Sequence, residues 1–193
     1  MSSRNIIPSY VRRLFTDEDP SKMSTAEKVG IILQSKLGKI KELNIDNVKP
    51  TTRIFRSKSR PQFKLVRLLI NLVYLMKLDK NTIVAMLIYI GRALYTDKFL
   101  LQEMNYDKVI ISAAIVANKY VSNISSNLEL ISFRFGLSKA ILFKTEIELL
   151  KLMNYRCYIS TVLYERINGN LVTDFPNDIE RDEDNTRYNS DTE

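Results

Sequence analysis

The chain has 193 residues, 45% hydrophobic and 26% charged, enough apolar content for one packed domain with flanking tails. It has no histidine and a single cysteine, Cys157, which excludes imidazole acid–base chemistry, histidine-bearing metal centres, an internal disulfide and a CxxC motif. The formal net charge of +7 is uneven: residues 1–60 carry 13 Lys+Arg against 6 Asp+Glu, residues 61–173 carry 14 against 8, and residues 174–193 carry 2 against 8. A basic body therefore precedes a short acidic tail whose composition predicts disorder. The longest apolar run, Ile83 to Ile90, falls far short of the ~20 residues of a membrane span. The N-terminal MSSRNIIPSYVRRLF lacks the apolar core of a signal peptide, so a soluble, intracellular protein of the nucleus or cytoplasm is expected, with no membrane partner.

Residues 1–23 show no sustained period and are expected to be flexible. Ser24-Thr25-Ala26-Glu27 has the form of a capping box, and Val29, Ile32, Leu33, Leu37, Ile40 and Leu43 follow at the spacing of one helix face. From Lys49 to Lys64 there are six basic residues and no acidic one, with prolines at 50 and 61, which predicts a solvated linker. Residues 24–60 thus hold an amphipathic helix and a basic linker. The chain then turns densely apolar. A first core helix is predicted over 62–77, with Lys64, Arg67 and Asn71 on one strip. Asp79 is placed to cap a second helix, whose Ile83–Ile90 stretch is apolar all round and so buried on more than one side.

A third helix, 106–121, carries Ala113, Ala114 and Ala117 among branched residues; the small side chains let neighbours approach, so this is the expected central helix. A buried strand is the rival for VIISAAIV, but length and alanine content favour helix. A short helix over 127–134 ends near Gly136. Ser138 caps a fifth helix running to about Met153, with Leu137 and Leu142 at hydrophobic-staple positions. The fold class is all-α: five helices over 61–160, an extra N-terminal helix, and a C-terminal extension, 161–193, that contains the acidic tail. No internal repeat is visible, and the little apolar sequence after Tyr155 leaves no room for a second such unit.

Two charged residues stand out. Glu146 is the only charge in the row Leu142, Glu146, Leu149, Met153, and a carboxylate in an apolar row is costly unless something hydrogen-bonds it. Lys119 lies over Ile115 and Val116 on a helix with no other charge after Lys108. By spacing alone, Lys119 compensates the helix dipole and Glu146 is a rim residue.

These segments, LIYIGRAL, ISAAIVANKYVSNISSN and the helix ending LLKLMNY, together resemble the cyclin box. The resemblance implies a regulatory subunit that is not an enzyme, needs no cofactor, and binds and activates a cyclin-dependent protein kinase. In that family a late lysine of the third box helix and a glutamate of the fifth grip the kinase around its αC helix and fix it in the active position. AxxxANKY places Lys119, and ExxxLxxMNY places Glu146, in those roles. Ile115, Val116, Leu142, Leu149 and Asn123 are the further kinase-binding candidates the resemblance implies. The usual IDR of the second box helix is IGR here, with Gly91 for the aspartate and Gln62 where its arginine partner would stand, so both halves of that pair are absent together. These absences, the single box, and KYVSNISSN followed by FGLS resemble the P/U-type, phosphate-pathway branch, which often has an aspartate where Asn123 stands.

Arg12-Arg13-Leu14-Phe15 has the RxLF form of a cyclin-docking peptide, a short pattern that recurs by chance. The alternative function is a cyclin-like module acting on nucleic acid in transcription initiation. Nucleic acid is not the expected partner, because the basic linker has only Phe55 and Phe63 for base stacking. No nucleophile–base pair, phosphate-cradling loop or metal cluster supports an enzyme.

Overall fold

A computed structural model of the chain describes residues 20–41, 50–57, 61–97, 100–102 and 104–170. Among these residues there are seven α-helices, one 3₁₀ turn and no strand. The helices are α1 (Pro20–Lys41), α2 (Leu65–Met76), α3 (Lys80–Thr96), α4 (Tyr106–Val121), α5 (Leu128–Phe135), α6 (Lys139–Leu152) and α7 (Thr161–Asn170), with the 3₁₀ turn at Pro50–Phe55. The all-α expectation and the five core helices are borne out. The acidic tail and the RRLF segment lie outside the described residues.

The core helices start and stop where their local chemistry says they should. Asp79 caps α3 by accepting from the Thr82 backbone N–H at 2.7 Å. Asn127 caps α5, accepting from Glu129 and Leu130 N–H, and Gly136 ends it in the left-handed region at φ 64°. Ser138 caps α6 by accepting from Ile141 N–H at 3.3 Å. Helix α4 ends where Asn123 takes φ 55°, turning the chain so that Ile124 N–H reaches the Asn118 carbonyl at 3.2 Å. Asparagine tolerates that conformation better than most residues.

Helix α4 is the axis of the fold. It packs on α2, α3 and α6, and its residues 108–118 are all buried, Ala113, Ala114 and Ala117 among them. Helix α5 packs on α6, and α1 lies across α2 and α3. The α1–α2 crossing is close because Gly30 has no side chain: a Cβ there would meet Val66 Cγ2 at 3.1 Å and Leu69 Cδ1 at 3.3 Å. Ala26, Val29, Leu33 and Leu37 form the buried face of α1.

Three expectations are corrected. Helix α1 begins at Pro20, inside the stretch expected to be flexible, and the Ser24–Glu27 box lies within the helix; residues 1–19 lie outside the described residues. Proline suits a first turn, where its missing N–H has no acceptor to satisfy. The linker is not simply solvated: Pro50–Phe55 forms the 3₁₀ turn, and Phe55 is fully buried where the turn packs on α4 and α6. Finally, α7 occupies the start of the C-terminal extension, packing on α3 through buried Leu163 and Ile167. Its three β-branched residues and a glycine make a weak helix sequence, which tertiary burial overrides. Ser160 Oγ, accepting from Leu163 N–H at 3.3 Å, is the start signal that marks it.

Phe55 should therefore behave as a core residue. Phe55→Ala is expected to cost about 3–5 kcal/mol of stability, measured by urea unfolding; a change within experimental error would show that the turn contributes no packing.

Candidate functional site

Helix α4 reaches the surface at its ends. At its C-terminal end Lys119 Nζ lies 2.5 Å from Glu146 Oε1 on α6. The Lys119 side chain is 33% exposed and that of Glu146 only 9%. The apolar row on α6 thus has its explanation: the buried carboxylate is matched by a lysine from the neighbouring helix. One oxygen remains unmatched, since Glu146 Oε2 is buried without a hydrogen-bond partner. Lys119 Nζ also lies 5.9 Å from the centroid of the Phe143 ring, within cation–π range.

The other sequence candidates divide into two sets. Ile115, Val116, Leu142 and Leu149 are fully or almost fully buried, so in the free chain they are core residues and not a docking surface. A residue on the helix face of a charged group can equally well lie beneath it. Asn123 is exposed beyond the end of α4. The exposed apolar side chains at this end are Tyr120, Val121 and Ile124 after Lys119, and Phe143 and Ile147 beside Glu146. They went unassigned in the sequence, although Phe143 and Ile147 are a separate i, i+4 pair from the buried row. Next to Lys119, Asn118 is buried; its Nδ2 donates to Ser126 Oγ at 3.3 Å, while its Oδ1 has no partner.

A second polar arrangement links α3 to the chain after α6. Tyr89 OH donates to the Cys157 carbonyl at 2.6 Å, and Thr96 Oγ1 donates to the Leu152 carbonyl at 2.7 Å. Arg92 Nη1 donates to the carbonyls of Arg156 at 2.6 Å and Tyr158 at 2.9 Å. Gly91, in the IGR triplet, is buried, whereas Gln62 is exposed before α2. The arginine of the triplet thus holds backbone carbonyls. The signal for this was an arginine at the end of an all-apolar helix, which must find acceptors when buried. Burial pushes the Tyr89 hydroxyl up to about 12, with the nearby Cys157 adding in the same direction. Burial also raises the Cys157 thiol, against the opposing pull of Arg92.

No group of three or more His, Cys, Asp or Glu among the described residues is placed to hold a metal. No helix among them is long and apolar enough to cross a membrane.

Comparison with known families agrees with this architecture: the cyclin family model, that of the P-type branch, matches residues 6–157. The chain belongs to the cyclin family. Members of this family are non-catalytic regulators of protein kinases, so a cyclin-dependent kinase is the implied partner in general. The match to the cyclin model takes in α1 and the 3₁₀ turn as well as α2–α6, and it ends before α7. No curated protein matches the chain.

The Tyr89 hydroxyl gives this cyclin a testable pH response. Its folded value of about 12 lies above the ordinary 10.0, so the folded state holds the proton more tightly. That contribution to stability is complete below pH 10.0 and is lost as pH rises toward about 12. Tyr89→Phe should flatten the fall in stability over that window relative to the unaltered chain, read from paired unfolding curves. Parallel curves would mean that Tyr89 ionises as freely in the folded state as in the unfolded one.

Proposed function

We propose that this cyclin activates its kinase by gripping the αC-helix region with Lys119 and Glu146. The observation that carries the reading is the buried, unpartnered Oε2 of Glu146 beside an exposed apolar ring of Tyr120, Val121, Ile124, Phe143 and Ile147. An acceptor without a partner at the edge of an apolar surface suits a backbone N–H brought in by a docked segment. Lys119, one-third exposed, has donor capacity beyond its bond to Glu146 for a backbone carbonyl. Asn123 would extend the contact past the helix end. Ile115, Val116, Leu142 and Leu149 act from beneath, holding α4 and α6 in register.

Activation is then a population shift. The cyclin favours the active αC position only by binding it more tightly than the inactive one. The pair is formed before the kinase arrives, so less ordering remains to be done on binding.

Because the two side chains face each other in the free chain, single substitutions should affect both stability and affinity. Lys119→Ala leaves the Glu146 carboxylate buried without its lysine and should cost about 1–3 kcal/mol in stability, with a similar loss in kinase affinity. Exchanging the charges, Lys119→Glu with Glu146→Lys, separates the two effects. The swapped pair should regain stability relative to either single charge reversal, yet still fail to bind and activate the kinase, since each end now offers the wrong polarity to the kinase backbone. Thermal melts of the free chain, alongside kinase titration and phosphate-transfer rates, measure this. Full activation by the swapped protein would reduce the pair to a structural tie.

A further inference from the structure

The opposite end of α4 carries a surface of different chemistry. Arg53 and Arg56 on and just after the 3₁₀ turn, Lys64 at the entry to α2, and Arg134 in the last turn of α5 are all exposed. The backbone bearing them is fastened to the start of α4. Lys108 Nζ donates to the carbonyls of Arg56 at 3.0 Å and Ile54 at 3.4 Å. Ser57 N–H donates to the Met104 carbonyl at 2.7 Å, and Tyr106 OH to the Phe63 carbonyl at 2.6 Å. Arg134 is held with its guanidinium 5.2 Å from the Phe63 ring centroid and Nη2 donating to Asn71 Oδ1 at 2.8 Å. Phe63 in turn meets Phe135 edge-on, with centroids 5.8 Å apart.

Four cations are thus carried on fixed backbone, and no ion pair among the described residues neutralises Arg53, Arg56, Lys64 or Arg134. Neither nearby acid pairs with these four cations. Glu129 of α5 is paired with Lys139, and Asp107 of α4 sits beside Lys108, with burial holding its carboxyl above the usual range. A fixed cationic surface repels itself and attracts an anion of matching extent.

We propose that the acidic segment 174–193 of this same chain docks on that basic surface. The segment carries 8 acidic residues against 2 basic ones, the charge the surface lacks. Three residues, 171–173, separate it from the end of α7 at Asn170. The chain beyond that point could extend up to ~75 Å, against a domain about 40 Å across, so reach is not limiting. Tethering gives the segment an effective concentration on the order of millimolar, so a modest charge attraction is enough to keep it bound. The docked tail would shield the basic surface from other anions until a competing acidic segment or high salt displaces it. Residues Tyr106 and Lys119 are ~20 Å apart along α4, so the basic surface and the Lys119–Glu146 face are separate. This inference does not depend on the kinase-gripping reading.

The test uses the full-length chain and a fluorescent synthetic peptide of residues 174–193, followed by anisotropy at low salt. In one variant all eight acidic tail residues are replaced by Asn or Gln. The peptide should bind that variant at least ~10-fold more tightly than the unaltered chain, whose own tail competes. Binding should fall steeply with added salt. Adding Arg53→Ala, Arg56→Ala and Lys64→Ala to the neutral-tail variant should return binding to the unaltered level without moving the melting temperature, since all three side chains are exposed. Equal peptide binding by the unaltered and neutral-tail chains would overturn the proposal, as would tight binding that survives the triple substitution. Duplex DNA bound equally well by both chains would also overturn it, by showing an uncovered nucleic-acid surface.

Discussion

The rest of the structure depends on the sealing of α4. Residues 108–118 are buried without a break, and three alanines allow α2, α3 and α6 to close around them. A helix enclosed in this way cannot display a functional side chain along its length; only its ends meet solvent. Each end carries one lysine, and the fold treats them differently. Lys108 lies at the N-terminal end, where the helix dipole disfavours a cation, and burial pushes its ammonium below the usual range, against the opposing pull of Asp107. It is held by the carbonyls of residues 54 and 56, which fixes the 3₁₀ turn in place. Lys119 lies at the C-terminal end, where the dipole favours it, and meets a full carboxylate.

Helix α3 shows what replaces the family's usual aspartate–arginine pair. Gly91 and Gln62 stand at those positions, and neither carries a charge. Three polar groups in the second half of α3 are directed to the chain leaving α6: Tyr89, Arg92 and Thr96 hold carbonyls of residues 152, 156, 157 and 158. A tie to carbonyls needs no partner side chain, and it anchors the segment from which α7 returns to pack on α3. These bonds attach α3 to the end of the box.

The helices of the box were legible in the sequence from local punctuation and apolar pattern. Asp79, Ser138 and Gly136 act locally, and the alanines of α4 signal close approach whatever lies opposite. The 3₁₀ turn was not legible. Six basic residues and two prolines describe a solvated linker, and nothing local reveals that Phe55 finds a slot between α4 and α6. Helix α7 was missed for a similar reason, since its stability comes from Leu163 and Ile167 against α3 and not from its own propensity. In the candidate site, the oddity of Glu146 in an apolar row was readable, but not its answer: Lys119 is 27 residues away, and only the packing of α4 on α6 brings the two together. The same packing buries Ile115, Val116, Leu142 and Leu149, which helix-face arguments could not distinguish from surface.

A buried ion pair is seldom a source of net stability, because desolvation consumes much of the Coulomb attraction. The Lys119–Glu146 pair lowers that cost by remaining at the surface on the lysine side. Yet the buried Oε2 keeps an acceptor unsatisfied, which a fold selected for stability alone would fill or replace with an apolar residue. An incoming backbone N–H could bond Oε2 without breaking the bond from Lys119 to Oε1. Docking would then add an interaction to a pair already in position instead of exchanging one for another. On the proposed reading, the site spends folded-state stability to hold an acceptor ready, and the exposed aromatic and aliphatic side chains around it would exclude water once a partner is seated.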